Sequence, residues 1–455
     1  MAIWNTIQLS EIHPDRCDAE YFRKDYQDNL NLLESTGDTI TLGKLFKYIN
    51  RGTQPLYNKK GTLKALRSVN VGFMNFNETR QEYVTEGFFA INTRGKVQQD
   101  DVLITSTGVG TLGRTSIWFK NEKAFCDGHI TILRNGKVDP YFVTAFLNSK
   151  YGLRQYDQNF RGSSGQIEIY PYDISKFVIP ECLFPHQTEI GNYLREGFEL
   201  QTQSQTLYKQ ATDLLEQELG LDKISFEKPK CYSVNFSDAI LNKRADADFF
   251  NPDYETLKAH LKTLNGKRLR NISFLNSGFA FSSKKYAKSG KQIVRIQNIS
   301  GDFLNLKRNP VYYAENELKT LKQFRISKGD TLMAMTGNTI GNCSLNTSED
   351  ELYLNQRVLS ITPDENYVTA EYLNLVLRNI VFKSFIEREL VGGAQPNISL
   401  SFIGNQIIPI IDEKSMELIT GYMKNHYDFL KQSQKLLADA KSRVEQLIEE
   451  AANNA

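Results

Sequence analysis

The chain has 455 residues, a formal net charge of +2, five cysteines and five histidines. Because a domain typically holds about 150 residues, this length predicts two or three domains. No apolar run is long enough to span a bilayer and the polar start lacks a secretory signal, so a cytoplasmic location is expected. The cysteines and histidines are scattered without metal-ligand spacing, so neither a disulfide framework nor a metal site is expected. A charge of +2 does not by itself indicate nucleic-acid binding, which must be argued from where charges cluster.

The chain contains an internal repeat. Residues 16–22 (RCDAEYF) match residues 244–250 (RADADFF) at an offset of 228, which is 244 minus 16. Residues 67–71 match residues 295–299 at the same offset, and later matches need only small insertions. Self-similarity over half a chain indicates duplication of a structural unit, so we predict two copies of one domain.

In chain order, each half begins with short β-branched and aromatic runs broken by Gly and Asn, such as residues 100–108 and 329–337. These runs predict a mixed, strand-rich domain. A shorter helical stretch follows, and each half then ends in a long polar helix. The predicted segments are a first domain at 1–184, a central long helix at 185–222, a second domain at 223–410 and a C-terminal long helix at 411–455.

Both long helices repeat apolar residues every seven positions, with small residues between them. In the first helix the apolar positions are Tyr193, Leu200, Leu207 and Leu214, and the small ones are Gly197, Ser204 and Ala211. In the second they are Met416, Met423, Leu430, Leu437 and Val444, with Ser433 and Ala440. Because a heptad repeat requires a partner helix, we predict that the two helices pair as an antiparallel coiled coil. The alternative is that each helix packs on its own domain. The predicted fold class is α+β.

Three patterns resemble enzyme motifs. Residues 108–113 fit the dinucleotide-binding pattern G-x-G-x-x-G, but a strand-like run follows and the counterpart at 337–341 lacks the middle glycine, so a turn is predicted. Residues 251–254 (NPDY) resemble the N-P-P-Y loop of DNA amino-methyltransferases with the wrong third residue, and a helix start is predicted. Residues 363–365 (PDE) lack the acid-x-lysine pair of metal-dependent nucleases. The chain is therefore predicted to be noncatalytic, and a self-sufficient DNA enzyme is the alternative.

Each half also has a basic run without Asp or Glu, at residues 44–67 and 258–295. Two such runs at matching places favour a shared anionic partner. Lysines would contact phosphates, whereas Arg, Asn and Gln can read base edges. The predicted DNA-binding residues are Lys44, Lys47, Arg51, Gln54, Tyr57, Lys59, Lys60, Lys64, Arg67, Lys284, Lys285, Lys288, Lys291, Arg295, Gln297 and Asn298. A structural turn is an equally good interpretation of Asn298 and of its counterpart Asn70.

These features resemble the specificity subunits of type I restriction-modification systems over essentially the whole chain. The resemblance rests on residues 51–57 (RGTQPLY), their looser counterpart at 277–281, residues 330–341 and residues 392–398 (GGAQPNI). The first half departs from the family at 162–167, which lacks Pro-Asn. The resemblance implies two target-recognition domains that each read half of a split DNA sequence, with the long helices setting the gap.

The resemblance also implies partners that carry out the chemistry. Two methyltransferase subunits would use S-adenosylmethionine to methylate adenine, and a motor-nuclease subunit would complete the restriction enzyme. No cofactor or metal is then expected in this chain, whereas S-adenosylmethionine, ATP and Mg are expected in the partner subunits. Two alternatives remain: a specificity subunit that works with a fused methyltransferase-nuclease, and a coiled-coil adaptor whose globular halves bind protein.

Overall fold

The protein is described by a computed structural model that covers residues 6–8, 12, 16–78, 80–162, 165–224, 231–390 and 397–454. It divides into two compact units. Unit 1 consists of Met1–Gln201 and Lys431–Ala455, and unit 2 consists of Thr202–Leu430. Both boundaries between the units fall inside long helices, so each unit contains a segment of each helix. The division into four consecutive segments stays a prediction.

Unit 1 is built on three sheets. The strands are β1 (Thr39–Thr41), β2 (Phe46–Arg51), β3 (Leu63–Leu66), β4 (Glu82–Val84), β5 (Lys96–Val97), β6 (Val102–Thr105), β7 (Thr115–Ile117), β8 (Ala124–Cys126), β9 (Ile130–Gly136) and β10 (Val178–Pro180). One four-stranded sheet has the order β2-β9-β6-β7 and is antiparallel throughout. The second has the order β4-β3-β8-β5, in which β3 and β8 are parallel. The third sheet pairs β1 with β10.

Unit 2 repeats this arrangement strand for strand. Its strands are β11 (Lys267–Arg268), β12 (Ser273–Ser277), β13 (Lys291–Val294), β14 (Tyr312–Tyr313), β15 (Arg325–Ile326), β16 (Thr331–Ala334), β17 (Cys343–Leu345), β18 (Leu352–Leu354), β19 (Val358–Pro363) and β20 (Ile407–Ile408). The sheet orders are β12-β19-β16-β17, β14-β13-β18-β15 and β11-β20. The parallel pair recurs between β13 and β18. The repeat seen in the sequence is therefore a repeat of the fold, which is a mixed α+β fold with strand-rich sheets.

Helices precede, connect and follow these strands along the chain. Those up to the first long helix are α1 (Lys24–Ser35), α2 (Leu42–Leu45), α3 (Glu86–Ile91), α4 (Pro140–Asn148), α5 (Lys150–Asn159), α6 (Pro171–Ser175) and α7 (Gln187–Glu218). The later ones are α8 (Phe236–Asn242), α9 (Pro252–Thr263), α10 (Glu315–Leu318), α11 (Ala370–Arg378), α12 (Ile380–Leu390), α13 (Leu400–Gly404) and α14 (Glu413–Asn453). The long helices predicted at 185–222 and 411–455 are α7 and α14. Of the described residues, none lies in a helix long and apolar enough to cross a membrane.

Two of the enzyme-like patterns have structural roles. The glycines at 108, 110 and 113 lie in the turn between β6 and β7 with φ of 96°, 78° and 82°, a backbone conformation that favours glycine. At the other pattern, Asn251 caps α9: its side-chain oxygen accepts a hydrogen bond from the backbone N–H of Asp253 at 3.1 Å, and Pro252 occupies the first turn. The predicted turn and helix start are both confirmed.

The first sheet of each unit separates two hydrophobic cores. In β6, Val102 and Ile104 face the core that contains α4, α5 and the long-helix segments, whereas Leu103 faces the core shared with the second sheet. In β16, Met333 faces the first kind of core and Leu332 the second. This alternation follows from the two-residue period of a strand, and it explains why both strands consist of uninterrupted buried residues.

Segments of α7 and α14 contact each other within each unit. In unit 1, Gly197 lies against Leu437 and the backbone of Ser433, and Arg443 donates a hydrogen bond to Glu189 at 3.1 Å. In unit 2, the hydroxyl of Ser204 lies 2.8 Å from His426 Nδ1, and Ser415 donates to Glu218 at 2.9 Å. The small positions predicted between the apolar ones, Gly197, Ser204, Ala211, Ser433 and Ala440, are all buried.

Candidate nucleic-acid interface

The predicted DNA-binding residues lie in corresponding parts of the two units, although those of unit 1 begin earlier, in α2. In unit 1 they run from α2 through β2 to the end of β3, and in unit 2 they run from the loop after β12 to the turn after β13. The exposed ones are Lys44, Lys47, Gln54, Lys59, Lys60, Lys284, Lys285 and Lys288. Those that are half-buried are Arg51, Tyr57, Lys64, Arg67, Lys291, Arg295 and Gln297, while Asn298 is buried. Their role in DNA binding stays a prediction.

Lysines at the start of β3 and β13 meet acids that come from elsewhere in the chain. Lys64 contacts Glu78 at 2.9 Å and Glu122 at 3.1 Å. Partial burial opposes the charged form of Lys64, but the two carboxylates outweigh it and raise its pKa. In unit 2, Lys291 lies one position earlier in the repeat than Lys64; it contacts Glu315 at 3.1 Å and Glu351 at 3.2 Å, and hydrogen bonding to these acids raises its pKa. These lysines are therefore partly neutralised, although the basic runs contain no acid in sequence.

The end of β3 leads into a turn stabilised by side chains. The backbone N–H of Arg67 donates to Asn70 Oδ1 at 2.9 Å, and Asn70 Nδ2 donates to the carbonyl oxygen of Asn77 at 2.9 Å. The guanidinium of Arg67 donates to the carbonyl oxygen of Arg80 at 2.7 Å and lies 5.9 Å from the ring centre of Tyr57. The guanidinium thus supports the loop that follows β3.

Unit 2 contains the same set of contacts after β13. The backbone N–H of Arg295 donates to Asn298 Oδ1 at 2.9 Å, and Asn298 Nδ2 donates to the carbonyl oxygen of Asn305 at 3.0 Å. Arg295 donates to the carbonyl oxygen of Asn309 at 2.6 Å and lies 5.8 Å from the ring centre of Tyr286. The buried amide of Asn298 and that of Asn70 therefore hold loops, which favours the structural interpretation of both asparagines.

The loop after β2 and the loop after β12 each require a glycine. A β-carbon on Gly52 would lie 2.3 Å from the carbonyl oxygen of Cys126, and one on Gly278 would lie 2.1 Å from that of Asn355. Next to Gly52, Arg51 is held by Glu168 at 3.2 Å and by a backbone carbonyl at 2.8 Å. Residues 51–57 and 277–281 are thus structural counterparts. Of residues 392–398, positions 392–396 lie outside the described residues.

A polar hollow of about 560 Å³ opens beside the turn at Arg295 in unit 2. Its lining includes no Asp or Glu among the described residues, and its arginine and amide side chains are Arg295, Gln297, Arg308, Asn342, Asn355, Gln356 and Arg357. A second hollow of unit 2, of about 740 Å³, includes Asp238, Glu255 and Glu389 in its lining and is unsuited to a polyanion. The first hollow is the candidate for contact with nucleic acid.

Sequence reasoning found only part of this hollow. Arg295 and Gln297 were predicted, whereas Arg308, Asn342 and Arg357 were not. These three come from separate loops, and their positions in sequence are far apart, so a search for dense basic runs does not detect them. The signal that was available is the polar turn Asn355 to Arg357 between two apolar strands. In the described part of the chain, no group of three or more His, Cys, Asp or Glu side chains is placed to hold a metal ion.

Residues 262–442 match the family model described as the type I restriction modification DNA specificity domain. No curated protein sequence matches the chain. Among solved structures, the chain is similar to the type I restriction-modification S subunit from M. genitalium, at 16% identity and a TM-score of 0.46, over 91% of this chain and 95% of that one. It is also similar to the HsdS subunit from Thermoanaerobacter tengcongensis, at 11% identity and a TM-score of 0.29, over 91% and 96% of the two chains.

The match places the segment 262–442 in the class of DNA specificity domains. The resemblance to type I specificity subunits that the sequence predicts is confirmed by this match over residues 262–442. The matched segment includes the polar hollow and both four-stranded sheets of unit 2.

Proposed function

We propose that the chain is a noncatalytic specificity subunit that reads a bipartite DNA target, one part with each unit. One observation carries this proposal: unit 1 repeats, strand for strand, the fold of the unit that contains most of the DNA specificity domain. A duplicated fold with diverged loops is suited to bind two different sequences with one geometry. In this proposal the protein works in the cytoplasm.

The chemistry belongs to partners in this proposal. Two methyltransferase subunits supply S-adenosylmethionine-dependent adenine methylation, and a motor-nuclease subunit supplies ATP- and Mg-dependent cleavage. The alternatives are service to a fused methyltransferase-nuclease and, with less support, methylation by the chain itself. The second alternative is weakened because the N-P-P-Y-like residues cap a helix through Asn251.

The proposed antiparallel coiled coil of α7 and α14 is supported by contacts inside each unit. Gly197 in the first half of α7 meets Ser433 at the middle of α14, and Ser204 further along α7 meets His426 earlier in α14. Residue numbers therefore rise along one helix as they fall along the other. Small or polar side chains at these positions allow close packing of the two helices.

Exchange of one recognition domain tests the bipartite reading. Residues 1–184 are replaced by the corresponding domain of a relative, and methylated adenines are mapped across the genome of cells that express the chain with the methyltransferase of its system. Only one half of the methylated motif should change. A change in both halves contradicts independent reading, and methyl transfer to DNA by the purified chain alone contradicts the noncatalytic role.

We further propose that the helix pair sets the unspecified gap between the half-sites. Seven residues added after Gln201 and seven after Leu430 fall at the unit boundaries, so the internal contacts of each unit are kept. Each insertion adds about 10 Å of helix. At about 3.4 Å per base pair, the methylated motif should gain roughly three unspecified base pairs, with reduced efficiency because the units also rotate about the DNA. The original gap at full efficiency would contradict this role.

A further inference from the structure

Side chains in the polar hollow of unit 2 fall into two groups. Arg295 and Gln297 donate hydrogen bonds to the carbonyl oxygen of Asn309, at 2.6 Å and 3.2 Å. By contrast, the side chains of Arg308 and Arg357 are exposed and make no hydrogen bond or ion pair with any residue that the structure describes. The same holds for the side chains of two exposed amides in the hollow, Asn342 and Gln356.

The backbones beneath the second group are held in place. The carbonyl oxygen of Arg357 accepts a hydrogen bond from the N–H of Met335 at 3.0 Å, and that of Asn342 accepts from the N–H of Ala334 at 3.0 Å. The carbonyl oxygen of Arg308 accepts from the buried side chain of Asn298 at 3.0 Å. Free directional side chains on fixed backbone are arranged to meet a ligand with little reorganisation.

The chemistry of this group matches base edges. An arginine fork donates two hydrogen bonds to O6 and N7 of guanine, and an Asn or Gln amide pairs with N6 and N7 of adenine. A carboxylate, which would accept from cytosine, is absent from the described lining of the hollow. We propose that Arg308 and Arg357 read guanine and that Asn342 and Gln356 read adenine in the major groove, while Arg295 supports the loop. This inference rests on the proposed function.

Unit 1 carries different residues at the positions of Asn342, Gln356 and Arg357, as expected if it reads another sequence. The turn between β8 and β9 carries Gly128 and His129 where unit 2 has Gln356 and Arg357. Arg114 corresponds to Asn342, since each carbonyl accepts a hydrogen bond from the last residue of the preceding strand. The loop frame is therefore shared, whereas the groups that face the hollow are not.

Mapping methylated adenines in cells that express the chain with the methyltransferase of its system tests the assignment. Arg357→Ala should relax the motif at one position of one half-site, with discrimination against other bases falling about 5- to 150-fold. The other half-site should not change. Arg357→Lys keeps the charge but loses the planar fork, so it should relax the same position.

Two control variants separate base reading from other roles. Lys288→Ala removes an exposed lysine predicted to contact phosphate, so it should weaken methylation at all sites alike. Arg295→Ala should lower the melting temperature, which Arg357→Ala should leave unchanged because its side chain is exposed. If the wild type methylates a bipartite motif and Arg357→Ala methylates the same motif, the assignment of Arg357 to base reading is wrong and the proposed function stands. If wild type methylates no bipartite motif, both proposals fail.

Discussion

Gly197 of α7 and His426 of α14 occupy equivalent positions in the repeat. Gly197 lies at the contact between the long helices in unit 1, and His426 lies at the corresponding contact in unit 2. Gly197 is followed by Phe198, which stacks on Phe119 with ring centres 4.6 Å apart. His426 is followed by Tyr427, whose hydroxyl donates a hydrogen bond to Oδ1 of the buried Asn374 at 2.8 Å. Unit 1 thus packs its helix through small and aromatic residues, whereas unit 2 uses buried hydrogen bonds.

The difference extends to a partly buried ion pair in unit 2. His426 Nε2 lies 3.5 Å from Asp302, and Arg378 forms an ion pair with the same carboxylate. Burial opposes ionisation of Asp302, but His426 and Arg378 outweigh it and hold its pKa well below its usual range. Buried polar contacts of this kind fix which surfaces pair, because a slipped register leaves charges without partners. The two helix contacts are therefore not interchangeable, although the fold around them is repeated.

The largest expected effect comes from breaking this ion pair. Asp302→Ala leaves the largely buried Arg378 without its carboxylate and should lower the free energy of unfolding by about 3 to 5 kcal/mol. Urea denaturation followed by circular dichroism measures the loss. Asp428→Ala on the exposed face of α14 is the control and should change stability by less than about 0.5 kcal/mol.

Acid should remove the same stabilisation. Because the folded pKa of Asp302 is depressed, its contribution is complete above the unfolded value of about 3.9 and is lost as pH falls towards the folded value. The difference in stability between wild type and Asp302→Ala should therefore shrink below about pH 4. A difference that stays constant down to pH 2 would show that the carboxylate charge is not responsible.

A smaller effect distinguishes the two serines at equivalent helix positions. Ser204 bonds His426 Nδ1 at 2.8 Å and donates to its carbonyl oxygen at 3.0 Å, whereas the buried hydroxyl of Ser433 finds no hydrogen-bond partner in the described part of the chain. Ser204→Ala leaves a buried imidazole nitrogen with one partner fewer and should cost about 1 to 3 kcal/mol. Ser433→Ala should cost nothing measurable in the same urea titration. Equal losses of stability in the two variants would contradict the different roles given to Ser204 and Ser433.

Much of this architecture was predictable from the sequence. The duplication, the strand-rich halves and the long helices followed from the offset of 228 and the heptad spacing, because both depend on local periodicity. The strand order of the sheets was not predictable, since strands that are adjacent in sequence are often not adjacent in the sheets. The basic runs showed where DNA was expected, but they did not show that Lys64 and Lys291 meet distant glutamates.

The residues of the polar hollow were also not predictable from the sequence. Arg308, Asn342 and Arg357 converge only because three loops, from strands of two sheets, lie beside one another. No spacing along the chain encodes that convergence. Arg67 and Arg295 stood out in sequence because they recur, yet recurrence marks the shared frame, and their guanidinium groups bond loop carbonyls. In a duplicated recognition fold, the positions that differ between copies are better candidates for reading bases than those that are kept.

The smallest expected effect compares two helical glycines. Alanine in a helix interior is favoured over glycine by about 0.5 to 1 kcal/mol. A β-carbon on Gly421 of α14 meets no atom within 4 Å, so Gly421→Ala should gain this amount in thermal or urea denaturation. A β-carbon on Gly197 would lie 3.0 Å from Leu437 Cδ2 and 3.2 Å from its Cγ. Leu437 must then move by a few tenths of an ångström, which should cancel the gain. If Gly197→Ala stabilises the protein as much as Gly421→Ala does, the helix contact in unit 1 is too loose to require glycine. Close packing would then not be what distinguishes the unit 1 contact from the hydrogen-bonded contact in unit 2.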